Sequence, residues 1–210
     1  MATEKQIKLL IEKGNSAINS KQWKEAIKIF EELDKIQPNT FPIILNLASC
    51  FTNISNYEKA HELYDEADKI QPLSPEVNYS RGICFESEKR DVEALESFKK
   101  TLRINKDNID AWIKCAEILR RQDKYKESIE IYVYISEKNP NRADVMCDLA
   151  DTLYENNQKT EAENLLKKLI DYNPNHNEAK IVLARIYHNT PGKKELAIQL
   201  EKEAEGSITF

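Results

Sequence analysis

Four carboxylates stand at helical spacing in one stretch of the chain, ADVMCDLADTLYE, from 143 to 155. Asp144, Asp148, Asp151 and Glu155 follow one another at intervals of four, three and four residues, which places side chains on one face of an α-helix. Like charges at this spacing repel one another. Two interpretations follow: the row is a binding site for the Lys or Arg side chains of a partner, or it is an ordinary hydrated helix face that contacts basic residues nearby.

Other reactive residue types are not arranged for catalysis. The sequence contains no Gly-rich phosphate loop and no GxSxG or HExxH motif. The three histidines, His61, His176 and His188, are widely separated. A row of carboxylates along one straight helix does not wrap an ion, because hard cations need six or more converging oxygens. We therefore expect no enzymatic activity, no metal and no cofactor.

The composition suits a helical protein. Charged residues make up 32% of the 210 residues, and only 4 are glycine, as expected for amphipathic helical segments. The net charge of -5 gives no basic face for phosphate, so nucleic acid is not an expected ligand. No apolar run is long enough to insert directly into a membrane, and the N-terminal segment MATEKQIKLLIEK lacks the apolar core of a signal peptide. We expect a soluble, cytoplasmic protein.

A period of 34 residues runs through the chain and positions these side chains. Prolines mark it at Pro38, Pro72, Pro140 and Pro174, with Lys106 in the missing place. Small residues mark it at Gly14, Ala48, Gly82, Ala116, Ala150 and Ala184, and again at Ala26, Ala60, Ala94, Ser128 and Ala162. A fourth series consists of Phe30, Tyr64, Phe98, Tyr132 and Leu166. Four series in phase over five or six copies indicate a true repeat.

Each period predicts a hairpin of two helices. Ile44, Leu47, Ala48 and Phe51 have the i, i+3, i+4, i+7 spacing of one helix face, and a second amphipathic run begins at Tyr57 after a short polar break. The small residues let the two backbones approach closely, and the aromatic residue fills the space one turn later. The proline lies just past the second helix and helps to end it.

These residues at this spacing resemble the tetratricopeptide repeat (TPR) family. The resemblance implies an all-α fold, a right-handed α-solenoid of stacked antiparallel helix hairpins. We predict one solenoid domain over 1–210 with a short C-terminal tail at 206–210, and repeats at 7–40, 41–74, 75–108, 109–142, 143–176 and 177–205. In the last repeat, HNTPGKKELA carries one extra residue, so Ala197 takes the place expected at 196.

The resemblance further implies a concave groove, lined by the first helix of each hairpin, that holds an extended peptide or a partner's helix. The candidate groove residues are Asn15, Asn46, Tyr79, Lys114, Arg120, Arg121, Asp144, Asp148, Asp151, Tyr154, Glu155 and Arg185. Cys147 is predicted to face the same groove, where the surrounding acids should raise its pKa. The other cysteines, Cys50, Cys84 and Cys115, are predicted to be small buried hydrophobes, and no CxxC or disulfide spacing is present.

The predicted function is that of a protein–protein interaction adaptor or scaffold, with a basic segment of the partner meeting the carboxylates. Binding the C-terminal carboxylate of a chaperone is not expected, because Ile11, Glu76 and Ser80 stand where that family clamp needs cations. Two alternatives stay open. In the first, the chain would be a self-assembling structural protein whose copies join through Leu196, Ala197, Leu200 and Ala204. In the second, it would be the recognition arm of a larger complex or enzyme.

Overall fold

The computed structural model describes residues 3–206, in which helices alternate with short loops and no strand occurs. The predicted all-α class is therefore confirmed. The helices of this range are α1 (Glu4–Asn19), α2 (Trp23–Ile36), α3 (Phe41–Asn53), α4 (Tyr57–Ile70), α5 (Pro75–Ser87), α6 (Asp91–Ile104), α7 (Ile109–Arg121), α8 (Tyr125–Lys138), α9 (Ala143–Glu155), α10 (Lys159–Tyr172), α11 (Asn177–His188) and α12 (Lys194–Gly206). None of these helices is both long and apolar enough to cross a lipid bilayer.

The helix boundaries repeat with the period seen in the sequence. The first helices of the second to sixth hairpins begin at Phe41, Pro75, Ile109, Ala143 and Asn177, at steps of 34. The second helices keep the same step as far as Lys159, and α12 then begins one residue late, at Lys194. Ala197 is fully buried, which confirms the extra residue predicted in the last hairpin.

The small and aromatic series meet inside each hairpin. A Cβ atom added to Gly14 would lie 2.8 Å from Phe30 Cζ, and one added to Gly82 would lie 2.6 Å from Phe98 Cε1. The phenyl rings therefore rest directly on the backbone of the partner helix, which explains why the side chain is missing there. The prolines of the first series follow two residues after the last helical residue of α2, α4, α8 and α10, as predicted.

The loop inside each hairpin uses a left-handed residue. Positive φ angles between 57° and 65° recur every 34 residues, at Lys21, Ser55, Lys89, Asp123 and Asn157. The next residue closes the helix end: Asn56 N–H, for example, donates to the Phe51 carbonyl five residues earlier at 2.9 Å, the bond of a Schellman motif. The last hairpin places Gly192 there at φ 78°, again one residue late. None of the first five is glycine, the residue that adopts positive φ most readily, and none was predicted from the sequence.

The chain consists of two compact units, Met1–Ala111 and Trp112–Phe210. In the first, α1 pairs with α2, α3 with α4 and α5 with α6, while α2 packs on α3 and α4 on α5. In the second, α9 pairs with α10 and α11 with α12, while α8 packs on α9 and α10 on α11. The grouping of all repeats into one domain stays a prediction. Of the predicted tail, Gly206 ends α12, and 207–210 lie outside the described residues.

Candidate partner-binding site on helices α7, α9 and α11

Helix α9 separates its apolar and acidic residues as the spacing predicts. Val145, Leu149 and Ala150 are buried on one side, where α9 packs against α8 and α10. Asp148 and Asp151 are half-buried, and Asp144 and Glu155 are exposed. The row of carboxylates thus runs from the protein surface into a partly buried zone and out again.

Asp144 already has a basic partner on its own chain. Arg142, two residues earlier, donates from Nε to Asp144 Oδ1 at 2.9 Å and from Nη2 to Oδ2 at 2.6 Å. This paired guanidinium is the first cause that lowers the pKa of the Asp144 carboxyl. Asp144 is therefore neutralised locally and has little charge to offer a partner.

Two further carboxylates contact arginines of the flanking hairpins. Arg185 of α11 donates from Nη2 to Asp151 Oδ1. Arg120 of α7 lies between α9's last two acids, with its Nη1 3.9 Å from Asp151 Oδ2 and its Nε 3.9 Å from Glu155 Oε2. Asp151 and Glu155 therefore contact basic residues of the same chain, as the second of the two interpretations predicts.

Asp148 differs from the other three carboxylates. Its side chain makes no hydrogen bond or ion pair within residues 3–206. The pKa of the Asp148 carboxyl is raised to about 6, chiefly by burial. The positive charge of Arg120 acts against this rise, and the negative charges of Glu117 and Asp151 add to it. Asp148 is thus a half-buried acid without a donor among the residues that the structure describes.

The hydroxyl of Tyr132, in α8, lies in the same electrostatic environment. Tyr132 is fully buried, and its Oη has no hydrogen-bond partner among the described residues. Burial raises the pKa of the Tyr132 hydroxyl, and the charge of Asp148 is the next largest cause. We call the group of Glu117, Arg120, Tyr132, Asp148 and Asp151 the Asp148 site. It contains three oxygen atoms, two on Asp148 and one on Tyr132, whose hydrogen-bonding capacity the described chain does not use.

The remaining predicted residues of this unit are Lys114, Tyr154 and Arg121. Lys114 Nζ lies 2.8 Å from Glu117 Oε2. Lys159 Nζ lies 5.6 Å from the centre of the Tyr154 ring. Arg121 is exposed at the end of α7.

Three predicted residues belong to the first unit. Asn15 is exposed and Asn46 is half-buried, on α1 and α3. Tyr79 on α5 is half-buried, and its ring centre lies 5.4 Å from that of Phe98. The structure places each of these residues on the first helix of a hairpin, as predicted, and whether they bind a ligand stays a prediction.

Two sequence-based expectations change at this site. Cys147 does not face a groove: it is buried, with 2% of its surface exposed, because α9 turns it toward its packing side. Burial, with the nearby acids second, raises the pKa of its thiol to about 12. Tyr132, in contrast, looked like an ordinary core aromatic. Comparing the repeats would have revealed it, because Glu117 and Arg120 occupy the places where Ser49 and Thr52 lie beside Tyr64.

Paired helices that recur every 34 residues, with first helices that present a polar face, define a class of helical repeat proteins. A family model described as Tetratricopeptide repeat matches residues 17–81 and 119–186, more than half of the chain. The chain belongs to the tetratricopeptide repeat family, whose members generally act as non-catalytic scaffolds for protein interactions. No curated protein matches the sequence significantly.

Solved structures with the same fold support this assignment. YrrB, described as a TPR protein with an unusual peptide-binding site, aligns with a TM-score of 0.63 at 18% identity, over 85% of this chain and 92% of its own. A tetratricopeptide repeat protein from Parabacteroides merdae gives 0.69 at 19% identity, over 97% and 86%. PilF of Pseudomonas aeruginosa gives 0.72 at 15% identity, over 96% and 88%. At these identities the similarity shows the fold alone.

Proposed function

We propose that this chain is a protein-interaction module, without catalytic activity, that holds a basic side chain of a partner peptide or helix at the Asp148 site. The observation that supports this proposal is the half-buried Asp148 carboxylate, which has no donor within the described chain. A carboxylate in such surroundings is unstable in its charged form, since burial removes hydration without supplying hydrogen bonds. A Lys or Arg side chain from a partner would supply both charge and donors.

The chemistry of the site favours a cation over other ligands. An ammonium or guanidinium group has only donors, and the half-buried Asp148 oxygens can only accept when the carboxyl is ionised. The flanking acids Asp151 and Glu155 already share Arg120 and Arg185. These two arginines leave Asp148 as the acceptor for an incoming charge and discourage a ligand with more than one or two positive groups. We therefore propose recognition of a single basic side chain rather than a polybasic tract.

The rest of the ligand would follow the first-helix surface. Lys114, Arg121, Tyr154 and Arg185 surround the Asp148 site in sequence and repeat position, and we propose that they contact the neighbouring residues of the partner. We keep the same role for Asn15, Asn46 and Tyr79 in the first unit, because asparagine side chains can donate to and accept from a peptide backbone. The description of YrrB as a TPR protein with a peptide-binding site is consistent with a peptide ligand.

Self-assembly through α12 has less support. The predicted apolar stripe is partly consumed by the fold, because Ala197 and Ala204 are buried. Of the predicted stripe, Leu196 is 49% exposed and Leu200 is half-buried, so two large apolar side chains are left rather than a continuous stripe. We further propose a reducing, cytoplasmic location, since all four cysteines are free thiols in buried positions.

A selection experiment with matched variants tests the proposal. A phage library of random peptides would be selected on the immobilised wild-type chain, and the selected consensus peptide would be titrated by fluorescence anisotropy. We expect a Lys or Arg at one fixed position. Asp148→Asn should weaken binding at least ~10-fold, as loss of one partner of a buried charge pair does. Asp144→Asn, the control on the same helix, should leave the affinity within about 2-fold, because Asp144 is paired with Arg142.

The opposite results are equally clear. A consensus without a basic residue, or equal affinity of wild type and Asp148→Asn, would remove the Asp148 site from the proposal. A selection that enriches no peptide would count against peptide recognition altogether. The pH gives an independent check: binding should weaken as the pH falls below about 6, because the Asp148 carboxyl then takes up a proton.

A further inference from the structure

One contact between consecutive hairpins of the first unit has an unusual composition. His61 of α4 meets Cys84 and Glu88 of α5. The same three repeat positions read, from the first hairpin onward, Ile27/Cys50/Ile54, His61/Cys84/Glu88, Leu95/Ile118/Gln122, Ile129/Thr152/Asn156 and Glu163/Ile186/Thr190. In the contact just before, the trio is part of an apolar cluster. Stacking therefore works with an Ile–Cys–Ile trio, and only this contact combines an imidazole, a thiol and a carboxylate.

The three donor atoms converge on one point. His61 Nε2 lies 2.5 Å from Glu88 Oε1. Cys84 Sγ lies 3.9 Å from His61 Nε2 and 3.7 Å from Glu88 Oε1. Nitrogen, sulfur and oxygen atoms bound to one tetrahedral ion at 2.0–2.3 Å would be separated by about 3–4 Å. A ligand set of this kind thus needs only a small opening of the His61–Glu88 distance.

The surroundings hold these donors in place and leave a way in. Arg90 Nη1 lies 3.1 Å from the second oxygen of Glu88, which leaves Oε1 to point at the trio. The His61 ring lies 4.6 Å from the ring of Phe85. Cys84 is fully buried, whereas the side chains of His61 and Glu88 are 24% and 15% exposed. An ion could therefore enter from the His61 and Glu88 side and keep a fourth position toward solvent.

We infer that His61, Cys84 and Glu88 form a binding site for a divalent transition-metal ion of the Zn²⁺ class. One thiolate, one imidazole and one carboxylate suit a borderline ion such as Zn²⁺ or Co²⁺, whereas Ca²⁺ and Mg²⁺ require oxygen ligands throughout. Binding releases the thiol proton of Cys84 to solvent, and the neutral imidazole keeps its remaining proton on Nδ1. This departs from the absence of metal expected from the sequence, where His61 and Cys84 looked unrelated.

A second trio, Cys147, His176 and Glu178, also brings its donor atoms within 4.8 Å of one another, but it suits an ion poorly. His176 is the N-cap of α11, and its Nδ1 accepts the Ala179 backbone N–H at 3.1 Å. The neutral ring then carries its proton on Nε2, so neither nitrogen is free. A cation would also face the positive end of the α11 dipole. This trio supplies a control.

The test uses the full-length reduced chain and Co²⁺ as the probe. Co²⁺ should produce a thiolate-to-cobalt charge-transfer band that saturates at one ion per chain, and Zn²⁺ should displace it. Cys84→Ser should abolish the band, and Glu88→Gln should weaken binding at least ~10-fold, the loss that even an outer-shell substitution causes. Cys147→Ser should leave both band and affinity unchanged.

A double variant guards against misfolding of Cys84→Ser. His61→Ile with Glu88→Ile copies the apolar trio of the preceding contact and keeps the thiol. It should fold, bind no Co²⁺ and show no Tm shift with Zn²⁺, whereas Zn²⁺ should raise the Tm of the wild type. Absence of a cobalt–thiolate band in the wild type, its persistence in the double variant, or its loss in Cys147→Ser would each overturn the inference.

Discussion

Tyr64 and Tyr132 occupy the same place in the second and fourth hairpins, two periods apart, and both are buried. The Tyr64 hydroxyl lies 3.2 Å from Thr52 Oγ1. Burial raises the pKa of Tyr64 to about 12, and hydrogen bonds from Thr52 and Ser49 act against this rise. In the fourth hairpin those two places hold Arg120 and Glu117, and Tyr132 Oη has no partner in the described chain.

The difference lies in which side chains surround the tyrosine hydroxyl in the two hairpins. In the second hairpin, the short Thr52 side chain gives the Tyr64 hydroxyl a hydrogen-bond partner in the core. Longer charged side chains contact other charges instead, Arg120 with Asp151 and Glu117 with Lys114. Within residues 3–206, the Tyr132 hydroxyl therefore has no hydrogen-bond partner, and the charge of Asp148 acts on it. A buried hydroxyl without a partner is expected to cost stability that the second hairpin does not lose.

The largest expected effect comes from an acid that is fully satisfied, the opposite of Asp148. Glu163 of α10 accepts from the Tyr187 hydroxyl at 2.9 Å and pairs with Lys167 and Lys193 at 2.7 and 2.5 Å. Glu163→Gln should lower the free energy of unfolding by about 2 kcal/mol at pH 7, measured by urea denaturation. The exposed Glu161 on the same helix provides the control, and Glu161→Gln should change stability by less than about 0.5 kcal/mol.

The pH dependence of Glu163→Gln follows from the same contacts. Burial raises the pKa of Glu163, but hydrogen bonds from Lys167, Lys193 and Tyr187 outweigh burial and lower this pKa to about 2. A depressed pKa stabilises the fold above the unfolded-state pKa of about 4.3 and loses this contribution as the pH falls toward 2. The deficit of the variant should therefore shrink between these two pH values. A constant deficit would mean that Glu163 acts by packing alone.

Asp148→Asn should raise the free energy of unfolding, whereas Glu163→Gln should lower it. With the pKa raised to about 6, the charged form is penalised in the fold at neutral pH. We expect a gain of about 1–2 kcal/mol at pH 7, since one pKa unit corresponds to about 1.4 kcal/mol and partial exposure reduces the effect. The gain should vanish below about pH 4, where the acid is protonated in both states. A loss of stability would show that Asp148 has a structural partner.

Removing the two tyrosine hydroxyls tests the comparison directly. Tyr64→Phe should cost about 1 kcal/mol, because it removes the hydrogen bond between Tyr64 and Thr52 in the core. Tyr132→Phe should be neutral or stabilising by up to about 1 kcal/mol, because it removes a polar group that is buried without a protein partner. Thermal or urea unfolding measures both. Equal losses in the two variants would mean that Tyr132 is satisfied as well as Tyr64.

The smallest effect checks that the two hairpins are otherwise equivalent. Ser55 and Asp123 hold the left-handed loop position, with φ of 61° and 59°, and each accepts the hydroxyl of the tyrosine two residues later. Glycine relieves the backbone strain but loses that bond and adds chain entropy. Ser55→Gly and Asp123→Gly should each change stability by less than ~0.5 kcal/mol. Unequal changes in stability would mean that the second and fourth hairpins also differ in their loops.

The fold could be predicted because each structurally required residue type recurs at the same repeat position five or six times. A single small residue at Ala48 means little, but the series that includes Gly14 and Gly82 identifies the close helix contact. Even the extra residue before Ala197 is visible as a phase change. The left-handed loop residues escaped prediction, because Lys21 and Lys89 carry no conformational signal of their own and adopt positive φ only because the hairpin closes around them.

The candidate site could be predicted only to the level of a helix face. Asp144 and Asp148 are equivalent in spacing, and only the structure shows that Arg142 neutralises one and leaves the other. Cys147 follows the same spacing but lies on the packing side. The His61, Cys84 and Glu88 trio joins residues from two hairpins, so it becomes visible only when the stacking distance between α4 and α5 is known.

The close contacts at Gly14 and Gly82 also bear on how the chain avoids misfolding. Helices from similar repeats can exchange partners, a frequent failure of repeat proteins. Here glycine faces phenylalanine in the first and third hairpins, whereas alanine faces tyrosine in the second and fourth. A helix that slipped by one repeat would press an alanine methyl into a phenyl ring, at distances as short as 2.6 Å. An exchange with a neighbouring repeat would therefore require the Phe30 or Phe98 ring to move from its present position.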